Sequence, residues 1–363
     1  MQHTSMIINQ NKILQALEKI AQKDDLNEIK SNIKIIQENL KGIKQDKLGF
    51  LNIGTNGGTI SVSSKYIEQE LHQILETKTI ERTKYYVNRL KKGLSEIKTS
   101  KINDLNLNQW KEYNDIITDS LWIMDKRDNS GVHTASYWGN FIPQIPQQFI
   151  KRYTKRNEWV LDTFLGSGTT LIECQRLGRN GIGVELQKEI AQIAQDNIDK
   201  ERELFTHSTI QEILINDSTS ISLDDELKKL GIDKVQLIIM HPPYWDIIKF
   251  SDDVRDLSNA SSVDDFLSLF AKVIENTYNI LEKGRYLVVV IGDKYSKGDW
   301  IPLGFKTMDL VMSKGYKLKS IVVKNFEETK GKMNQKELWR YRALVGGFYI
   351  FKHEYIFLFK KHT

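Results

Sequence analysis

The pentapeptide His-Pro-Pro-Tyr-Trp, which begins at His241, follows an apolar run from Val235 to Met240. A buried strand is therefore expected to end in an imidazole, two prolines and two aromatic rings. Consecutive prolines fix φ and bias the preceding residue away from helix, so the main chain leaves the strand along a stiff path and the Pro242 carbonyl is free to accept a hydrogen bond. Tyr244 and Trp245 supply a stacking face. The pattern predicts a site for a flat ring; the alternative is an ordinary proline-rich turn with surface aromatics.

A second segment, from Glu158 to Thr170, has the pattern of a short buried strand, a glycine turn and the start of a helix. Its glycines let the chain turn sharply and let a ligand approach the backbone. The next predicted strand ends at Glu185, about 20 residues beyond the first glycine, a spacing that in nucleoside-binding units places a carboxylate against two ribose hydroxyls. A third strand ends at Asp217, an acid suited to the amino group of an adenine ring. Together these features predict a nucleoside site beside the pentapeptide.

At these residues the chain resembles the exocyclic-amino DNA methyltransferases, which methylate N4 of cytosine or N6 of adenine with S-adenosylmethionine. The resemblance covers roughly the last two thirds of the chain. The glycine segment is a close form of the family's Asp-Pro-Phe-x-Gly-Ser-Gly-Thr-Thr motif, with Thr163 in place of proline. The pentapeptide is a variant of Asp/Asn/Ser-Pro-Pro-Tyr/Phe, with His241 in the first position. Upstream, the segment from Asn140 to Pro146 and the helix after it resemble the part that closes over the methionine end of the cofactor.

The resemblance implies the following site residues. The catalytic residues are His241, Pro242, Pro243 and Tyr244. The residues that bind S-adenosylmethionine are Asn140, Phe141, Pro143, Asp162, Phe164, Gly166, Ser167, Gly168, Thr169, Thr170, Glu185 and Asp217. No metal ligand is implied.

An aromatic amine is a poor nucleophile because its lone pair is delocalised into the ring, and hydrogen-bond acceptors on its N–H groups draw the nitrogen toward tetrahedral geometry. The resemblance implies that the His241 side chain and the Pro242 carbonyl are these acceptors, and that Tyr244 stacks on a base rotated out of the duplex. A neutral imidazole accepts through one nitrogen only, and a protonated one cannot accept. We expect His241 to act as a neutral acceptor; the alternative is that its role has moved to Pro242 and another group.

Strand and helix patterns alternate from Trp110 to the last strand, which begins at Glu354. This alternation predicts an α/β fold, and the resemblance implies a doubly wound, mostly parallel seven-stranded methyltransferase sheet of Rossmann-like type with an antiparallel last strand. The polar stretch 246–262 is expected to lie near DNA and the active site and to become ordered on binding. A basic insertion at 324–346 is suited to phosphates, although a solvated face is the alternative.

Residues 1–110 are predicted to form a mainly helical accessory domain for DNA recognition or oligomerisation, and 111–363 the methyltransferase domain. Apolar residues recur at helical spacing over 9–45 and 66–94, and 49–64 reads as a small turn or hairpin. A basic stretch surrounds Lys84, Arg89, Lys91 and Lys92. Since the chain ends at the last sheet strand, sequence reading is expected from 1–110, helped by 246–262 and 324–346. The alternative is that these helices only dimerise or dock a restriction partner.

The composition agrees with this reading. The 363 residues include 52 basic and 47 acidic side chains, a net charge of +5 that permits nucleic acid binding without requiring it. The single cysteine, Cys174, falls on the helix after the glycine turn, where we expect a core role; it excludes a disulfide within the chain and a multi-cysteine zinc site. C5-cytosine methylation, which needs a cysteine nucleophile beside the base, is disfavoured. No apolar run has the length of a membrane span and no signal peptide is evident, so a cytoplasmic location is expected.

The expected function is site-specific methylation of an exocyclic amino group in double-stranded DNA, with N4 of cytosine favoured over N6 of adenine, in restriction-modification or phage defence. A cognate restriction endonuclease and a second copy of the chain are the further partners considered. Two alternatives remain open: an RNA amino-methyltransferase and a non-catalytic binding subunit of a methyltransferase complex. The second is disfavoured because both the glycine turn and the aromatic of the pentapeptide are present.

Overall fold

The computed structural model describes residues 5–41, 46, 48–51, 58–133, 137, 139–203, 208–296, 298–325 and 336–362. The chain divides into two compact units. The first comprises Met1–Lys101 and Leu105–Asp115, and the second comprises Ile102–Asp104 and Ile116–Thr363. Parts of the predicted 49–64 turn and of the predicted 324–346 insertion, namely 52–57 and 326–335, lie outside the described residues.

The first unit is mainly helical, as predicted. Its elements are β1 (Ser5–Asn9), α1 (Gln10–Ala21), α2 (Leu26–Leu40), β2 (Thr59–Ser63), α3 (Ser64–Leu75) and α4 (Ile80–Ser95), followed by a 3-10 helix at Leu107–Glu112. Helix α2 is capped at its N-terminus by Asp25, whose side chain accepts a hydrogen bond from the backbone N–H of Glu28 at 2.7 Å. Apolar residues at helical spacing, such as Ile29 and Ile33, are fully buried in the core of this unit.

Strands β1 and β2 pair antiparallel over five residues, from Ser5 against Ser63 to Asn9 against Thr59. The alternation of Ile60 and Val62 indicates β2 in the sequence, whereas β1 runs directly into a helical pattern and has no signal of its own.

Three cations of the basic stretch on α4 are paired with acids of the same unit. The pairs are Lys84 with Asp24, Arg89 with Glu70, and Lys91 with Glu18. Glu70 is only 2% exposed and also pairs with Lys111 at 2.7 Å, so Arg89 and Lys111 neutralise a buried carboxylate. Arg89 therefore has a structural role, whereas the pairs of Lys84 and Lys91 lie at the surface.

The second unit contains the remaining elements. They are β3 (Leu121–Trp122), α5 (Gln144–Tyr153), β4 (Trp159–Asp162), α6 (Thr169–Leu177), β5 (Asn180–Glu185), α7 (Lys188–Arg202), β6 (Gln211–Ile215), α8 (Leu223–Lys229), β7 (Val235–Met240), α9 (Val263–Tyr278), β8 (Leu281–Ile291), β9 (Lys294–Ser296), β10 (Asp299–Ile301), α10 (Leu303–Ser313), β11 (Tyr316–Asn325), α11 (Lys336–Gly346) and β12 (His353–Lys361). Strands β9 and β10 form a small separate antiparallel pair.

The central sheet has the strand order β3-β11-β12-β8-β7-β4-β5-β6. The strands from β6 to β8 are parallel, and β12 lies antiparallel between β8 and β11. The prediction of a mostly parallel sheet with an antiparallel last strand is therefore confirmed. The sheet has eight strands where seven are predicted, because the two-residue β3 adds a short parallel edge to β11. The strand order reverses between β4 and β7, which is where open α/β sheets place their ligands.

Both faces of the sheet are covered. Along β7, Ile238 and Met240 pack into one apolar layer, while Leu237 and Ile239 pack into the layer on the opposite face. Successive side chains of a strand point to opposite faces, so a strand buried on both sides reads as the continuous apolar run seen in the sequence. Among the described residues, no helix combines the length and the apolar character that crossing a bilayer requires.

Candidate active site

A cavity that is open to solvent lies at the carboxyl ends of β4, β5, β6 and β7. The carboxyl ends of these parallel strands meet at one edge of the sheet, and each strand contributes a polar residue there. Residues that line the cavity include Asn140, Phe141, Phe164, Gly166, Glu185, Asp217, His241 and Pro243.

The glycine turn after β4 is held by Asp162, which is fully buried. One of its carboxylate oxygens accepts the backbone N–H of Phe164 at 2.9 Å, and the other accepts the hydroxyl of Thr170. Burial raises the pKa of Asp162 from 3.8 to about 6, while these two hydrogen bonds oppose the rise. Asp162 therefore lies behind the turn and fixes its shape.

Gly166 and Gly168 take φ values of 55° and 94°, a region that favours glycine. A Cβ on Gly166 would lie 3.1 Å from the Tyr137 ring and 3.3 Å from Asn140 Oδ1, both of which line the cavity. The turn thus leaves a space at this wall that a side chain would fill. The amide of Asn140 in turn donates to the hydroxyl of Ser167, which ties the segment before α5 to the turn.

Glu185 ends β5 and is 8% exposed. Its two carboxylate oxygens accept the backbone N–H groups of Gly166 at 2.9 Å and Gln187 at 3.0 Å. Burial raises the pKa of Glu185 from 4.5 to about 7, against the lowering effect of those hydrogen bonds. A carboxylate has about four lone-pair sites, so one on each oxygen remains for a ligand.

Asp217 lies two residues beyond the end of β6 and lines the cavity. Its oxygens accept from the backbone N–H and the hydroxyl of Thr219, each at 2.8 Å. This local loop fixes the carboxylate and again leaves one lone-pair site on each oxygen. The neighbouring Ser218 donates its hydroxyl to the Thr163 carbonyl at 2.6 Å, which couples this loop to the glycine turn.

His241 follows β7 and its ring is held from two sides. The edge of Phe141 meets it in a T-shaped contact with 4.9 Å between ring centroids. Its Nε2 lies 3.1 Å from the hydroxyl of Tyr244. Burial among these groups lowers the pKa of His241 from 6.5 to about 4; Glu354 raises it and Lys324 lowers it. The imidazole is therefore neutral across the physiological range of pH.

Tyr244 lies behind His241 and does not line the cavity. A Cβ on Gly292 would lie 2.9 Å from the Tyr244 ring, so the ring packs directly on the backbone at the end of β8. Its hydroxyl donates to Glu354 at 2.9 Å, and Glu354 pairs with Lys324 at 2.9 Å on the neighbouring strand β11. Lys324 is 5% exposed and is committed to this pair, so it is not available to a phosphate.

Trp245 adopts a φ of 52°, and its ring N–H donates to the Ala260 carbonyl at 2.8 Å. The ammonium of Lys294, at the start of β9, lies 3.9 Å from the centroid of the Trp245 ring. This aromatic therefore joins the pentapeptide to the following loop and to the β9–β10 hairpin.

The 246–262 stretch is ordered by its own hydrogen bonds. Ser251 donates to Asp256 at 2.7 Å, and the Asn259 amide donates to the carbonyls of Ser251 and Asp253. The loop brings Phe250 beside Tyr137, with 6.3 Å between the centroids of the stacked rings, and both residues line the cavity. It lies beside the cavity, and four of its residues line it: Phe250, Arg255, Asp256 and Leu257.

Half of the predicted site residues line the cavity. Those that do not line it are Pro143, Asp162, Ser167, Gly168, Thr169, Thr170, Pro242 and Tyr244. Cavity-lining residues that sequence reasoning missed include Tyr137, Gln187, Phe250, Arg255 and Asp256. They lie in loops or just past a strand, where no periodic pattern marks them; only the position of 246–262 directly after the pentapeptide points to some of them.

Several residues that line the cavity carry groups suited to S-adenosylmethionine. Glu185 and Asp217 offer acceptors for ribose hydroxyls and for an amino group, Gly166 leaves the wall open, and Phe164 offers an apolar face. Among the described residues, no cluster of three or more His, Cys, Asp and Glu side chains is arranged to hold a metal ion.

A family model described as DNA methylase, for N6 and N4 methyltransferases, matches residues 8–196 and 235–363. Among curated proteins, the chain is 39% identical over 70 residues to the Type II methyltransferase M.MjaII of Methanocaldococcus jannaschii, covering 19% of this chain and 13% of that protein. It is 33% identical over 102 residues to M2.DpnII of Streptococcus pneumoniae, covering 27% and 34%. It is 30% identical over 127 residues to M.BglI of Bacillus subtilis, covering 35% and 33%.

The matched segments thus span about a third or less of these relatives' own length. A solved methyltransferase from Methanosarcina mazei is 14% identical with a TM-score of 0.39, covering 59% of this chain and 97% of that one, which is too distant to bear on function. The family model, by contrast, covers most of the chain, including the glycine turn and the pentapeptide. The chain therefore belongs to the family of exocyclic-amino (N6-adenine and N4-cytosine) DNA methyltransferases, whose cofactor is S-adenosylmethionine.

Proposed function

We propose that this protein is a site-specific DNA methyltransferase that methylates an exocyclic amino group of a base rotated out of the duplex. One observation carries the proposal: a neutral imidazole at the end of β7 and two acids at the ends of β5 and β6 line the same cavity. The imidazole suits an amine that must be activated, and the acids suit a nucleoside. No other described part of the chain combines these groups.

We propose that Glu185 and Asp217 bind the nucleoside part of the cofactor. We assign the two ribose hydroxyls to Glu185 and the adenine amino group to Asp217, because each carboxylate keeps a lone-pair site on both oxygens. The methionine end is assigned to the turn at Gly166 and to Asn140, which is hydrogen-bonded to Ser167. Phe250 and Tyr137, whose rings stack on each other, complete this wall of the cavity.

The amine that receives the methyl group is proposed to donate hydrogen bonds to His241 and to the main-chain carbonyl of Pro242. Two acceptors on the N–H groups localise the nitrogen lone pair. Bound S-adenosylmethionine would supply an electrophilic methyl carbon: the nitrogen–carbon bond would form as the carbon–sulfur bond breaks, a neutral thioether would leave, and the nitrogen would then lose a proton to water. Holding the reactants in line supplies much of the rate enhancement. Because the pKa of His241 lies at about 4, this acceptor should persist from pH 5 to pH 8.

The acceptor base is proposed to be cytosine, at N4, in preference to adenine, at N6. Digestion of methylated DNA to nucleosides and mass spectrometry decides the point. N4-methylcytosine is expected; N6-methyladenine would overturn the choice of base and leave the amino-methyltransferase proposal standing.

The direct test is transfer of labelled methyl groups to duplex DNA by the purified full chain, with structured RNA as the competing substrate. His241→Ala should lower the single-turnover rate about 100-fold, the size of effect typical of one lost transition-state hydrogen bond. His241→Asn restores an acceptor oxygen at the same number of bonds from Cα as Nδ1, and it should be faster than the alanine variant. Methylation of RNA alone, or of neither substrate, would refute the proposal.

Sequence specificity is proposed to come from the first unit, with a restriction-modification role like that named for the Type II relatives. Deletion up to Lys101 is the appropriate truncation, because Asp104 of the second unit pairs with Arg179 at 3.1 Å. The shortened protein should bind the cofactor but lose site-specific methylation; intact specificity would overturn the assignment. Sedimentation of the full chain tests the alternative, in which the unit only dimerises.

The biological role is tested by modification-sensitive sequencing of host DNA with and without the gene. We expect one DNA sequence to be methylated in the host that carries the gene and to be unmethylated in the host from which the gene is deleted. Co-purification with an endonuclease that cuts the same sequence only when it is unmethylated would support a restriction-modification pair. A methylated site that no endonuclease of the host recognises would contradict it.

A further inference from the structure

A chain of hydrogen bonds runs from His241 away from the cavity and into the sheet. His241 Nε2 lies 3.1 Å from Tyr244 Oη, which lies 2.9 Å from Glu354 Oε2. The other oxygen of Glu354 lies 2.9 Å from the ammonium of Lys324. Lys324 and Glu354 face each other across β11 and β12, and they are only 5% and 8% exposed. Neither residue reaches the cavity.

Lys324 stands at the end of these hydrogen bonds that is remote from the cavity, and it determines which group donates and which accepts in each of them. The ammonium of Lys324 can only donate, and the carboxylate paired with it can only accept. Tyr244 has a single proton, which it donates to Glu354. Its oxygen then has only lone pairs to offer His241, so the bond between them requires a hydrogen on Nε2. With the opposite direction, two acceptor oxygens would face each other at 2.9 Å with no proton between them.

A neutral imidazole has one N–H, so a hydrogen on Nε2 leaves Nδ1 as an acceptor. Among the residues that the structure describes, Nδ1 has no hydrogen-bond partner, and the His241 ring lines the cavity. The ring of Phe141 packs against the His241 ring in a T-shaped contact, with 4.9 Å between centroids. The ring is neutral at working pH, since its pKa is lowered to about 4.

We propose that Glu354 and Lys324 are positioning residues that, through Tyr244, hold His241 as its Nε2–H tautomer and turn the Nδ1 lone pair toward the amine of the target base. This inference rests on the function proposed above. According to this inference, two buried residues that are far from the motif in sequence determine whether His241 has the tautomer that can activate the amine.

Replacement of Glu354 by glutamine should reverse the direction of donation along these hydrogen bonds, because glutamine has the shape of glutamate but carries an NH₂ group at one end. Lys324 donates to one end of the side chain and so holds the amide carbonyl, which leaves the amide NH₂ against the Tyr244 hydroxyl. Tyr244 then accepts from glutamine and donates its proton to His241 Nε2. The ring hydrogen moves to Nδ1, and the acceptor that faces the amine is lost.

The double variant K324M/E354Q separates the reversal of the hydrogen bonds from the loss of the negative charge of Glu354. Without the ammonium, the glutamine amide is free to turn its carbonyl toward Tyr244, and the original direction of the chain is allowed again. The double variant should therefore be faster than the single one. Glu275→Gln is the matched control, because Glu275 also pairs with a lysine, Lys314 at 2.5 Å, but on the surface and outside the site.

The experiment measures tautomer and rate on the full chain. Nitrogen NMR of ¹⁵N-histidine-labelled protein, with the His241 signals assigned by their absence in His241→Asn, should show a protonated Nε2 in the wild type and a protonated Nδ1 in Glu354→Gln. The single-turnover rate of DNA methylation should fall about 100-fold in Glu354→Gln, recover in part in the double variant, and stay unchanged in Glu275→Gln. Affinity for S-adenosylmethionine should be unchanged in all three.

The outcomes separate this inference from the proposed function. A wild-type protein that methylates DNA but carries its proton on Nδ1 overturns the inference and leaves the function in place. An Nε2–H tautomer in a protein that methylates no nucleic acid supports the hydrogen-bond assignment and overturns the function. A double variant as slow as Glu354→Gln overturns the role of Lys324. If the Glu354 variants do not fold, the wild-type tautomer alone decides the assignment.

Discussion

Replacement of Glu185 by glutamine should weaken the binding of S-adenosylmethionine and remove most of its pH dependence between pH 6 and pH 8. In the wild type, the carboxylate accepts the N–H groups of Gly166 at 2.9 Å and Gln187 at 3.0 Å, and it keeps one site on each oxygen for a ribose hydroxyl. An amide accepts at only one of its two ends. It therefore places an NH₂ group against one of these backbone donors and loses one ribose contact.

The magnitude follows from the contact that is lost. A hydrogen bond to a charged group contributes about 1.5–3 kcal/mol, which corresponds to an increase in Kd of about 10- to 150-fold. Repulsion between the new NH₂ group and a backbone N–H adds to this loss. The glycine turn should also loosen, because Glu185 is one of the groups that hold Gly166 in place.

The pH dependence has a definite sign. Burial raises the pKa of Glu185 to about 7, so the carboxyl is largely protonated at pH 6 and must lose its proton to accept two hydroxyls. If only the carboxylate binds, the apparent Kd of the wild type is about tenfold larger at pH 6 than at pH 8. Asp162, with a pKa raised to about 6, is half protonated at pH 6 and adds at most about a twofold weakening there. Glutamine does not titrate, so the variant should show a nearly flat profile over this range.

Isothermal titration calorimetry at constant ionic strength, in steps from pH 6 to pH 8, measures both effects. Glu189→Gln is the matched control, because Glu189 lies in the first turn of α7 and is exposed. The control should retain the wild-type affinity and its slope with pH. A Glu185 variant that also retained both would refute the assignment of this carboxylate to the ribose.

Two further predictions concern backbone and packing. Gly166→Ala should destabilise the fold by about 1–2 kcal/mol, because an L-residue is strained at its φ of 55°, and it should also weaken cofactor binding, because the new Cβ would lie 3.1 Å from the Tyr137 ring. Gly231→Ala shares the positive φ but has nothing within 4 Å, so calorimetry should find its affinity unchanged; equal losses in both variants would contradict the role of the cavity wall. Gly183→Ala should lower the free energy of unfolding by about 1–3 kcal/mol through overpacking, because its Cβ would lie 2.6 Å from Leu165 Cδ2. An unaltered urea midpoint would contradict that packing.

Much of the site could be predicted because its parts are local. Glu185 and His241 each lie at the end of an apolar run, and the carboxyl ends of parallel strands meet at one edge, so residues far apart in sequence are placed together by topology alone. The turn at Gly166 is marked by its own composition. The wall formed by Tyr137 and Phe250 has no such mark, because loop conformation has no period that a sequence can display.

The amino-acid sequence by itself determined the family, the alternation that builds the sheet, and the strand ends that carry acids and an imidazole. The tertiary structure alone decided what surrounds that imidazole. Glu354 is 110 residues from Tyr244 in the chain, and it reaches the motif because β12 runs antiparallel beside β8, so that its first residues lie at the same edge as the last residues of the parallel strands. The neutral state of His241 and the direction of its hydrogen bonds follow from burial and from pairs of distant residues, which no local pattern encodes.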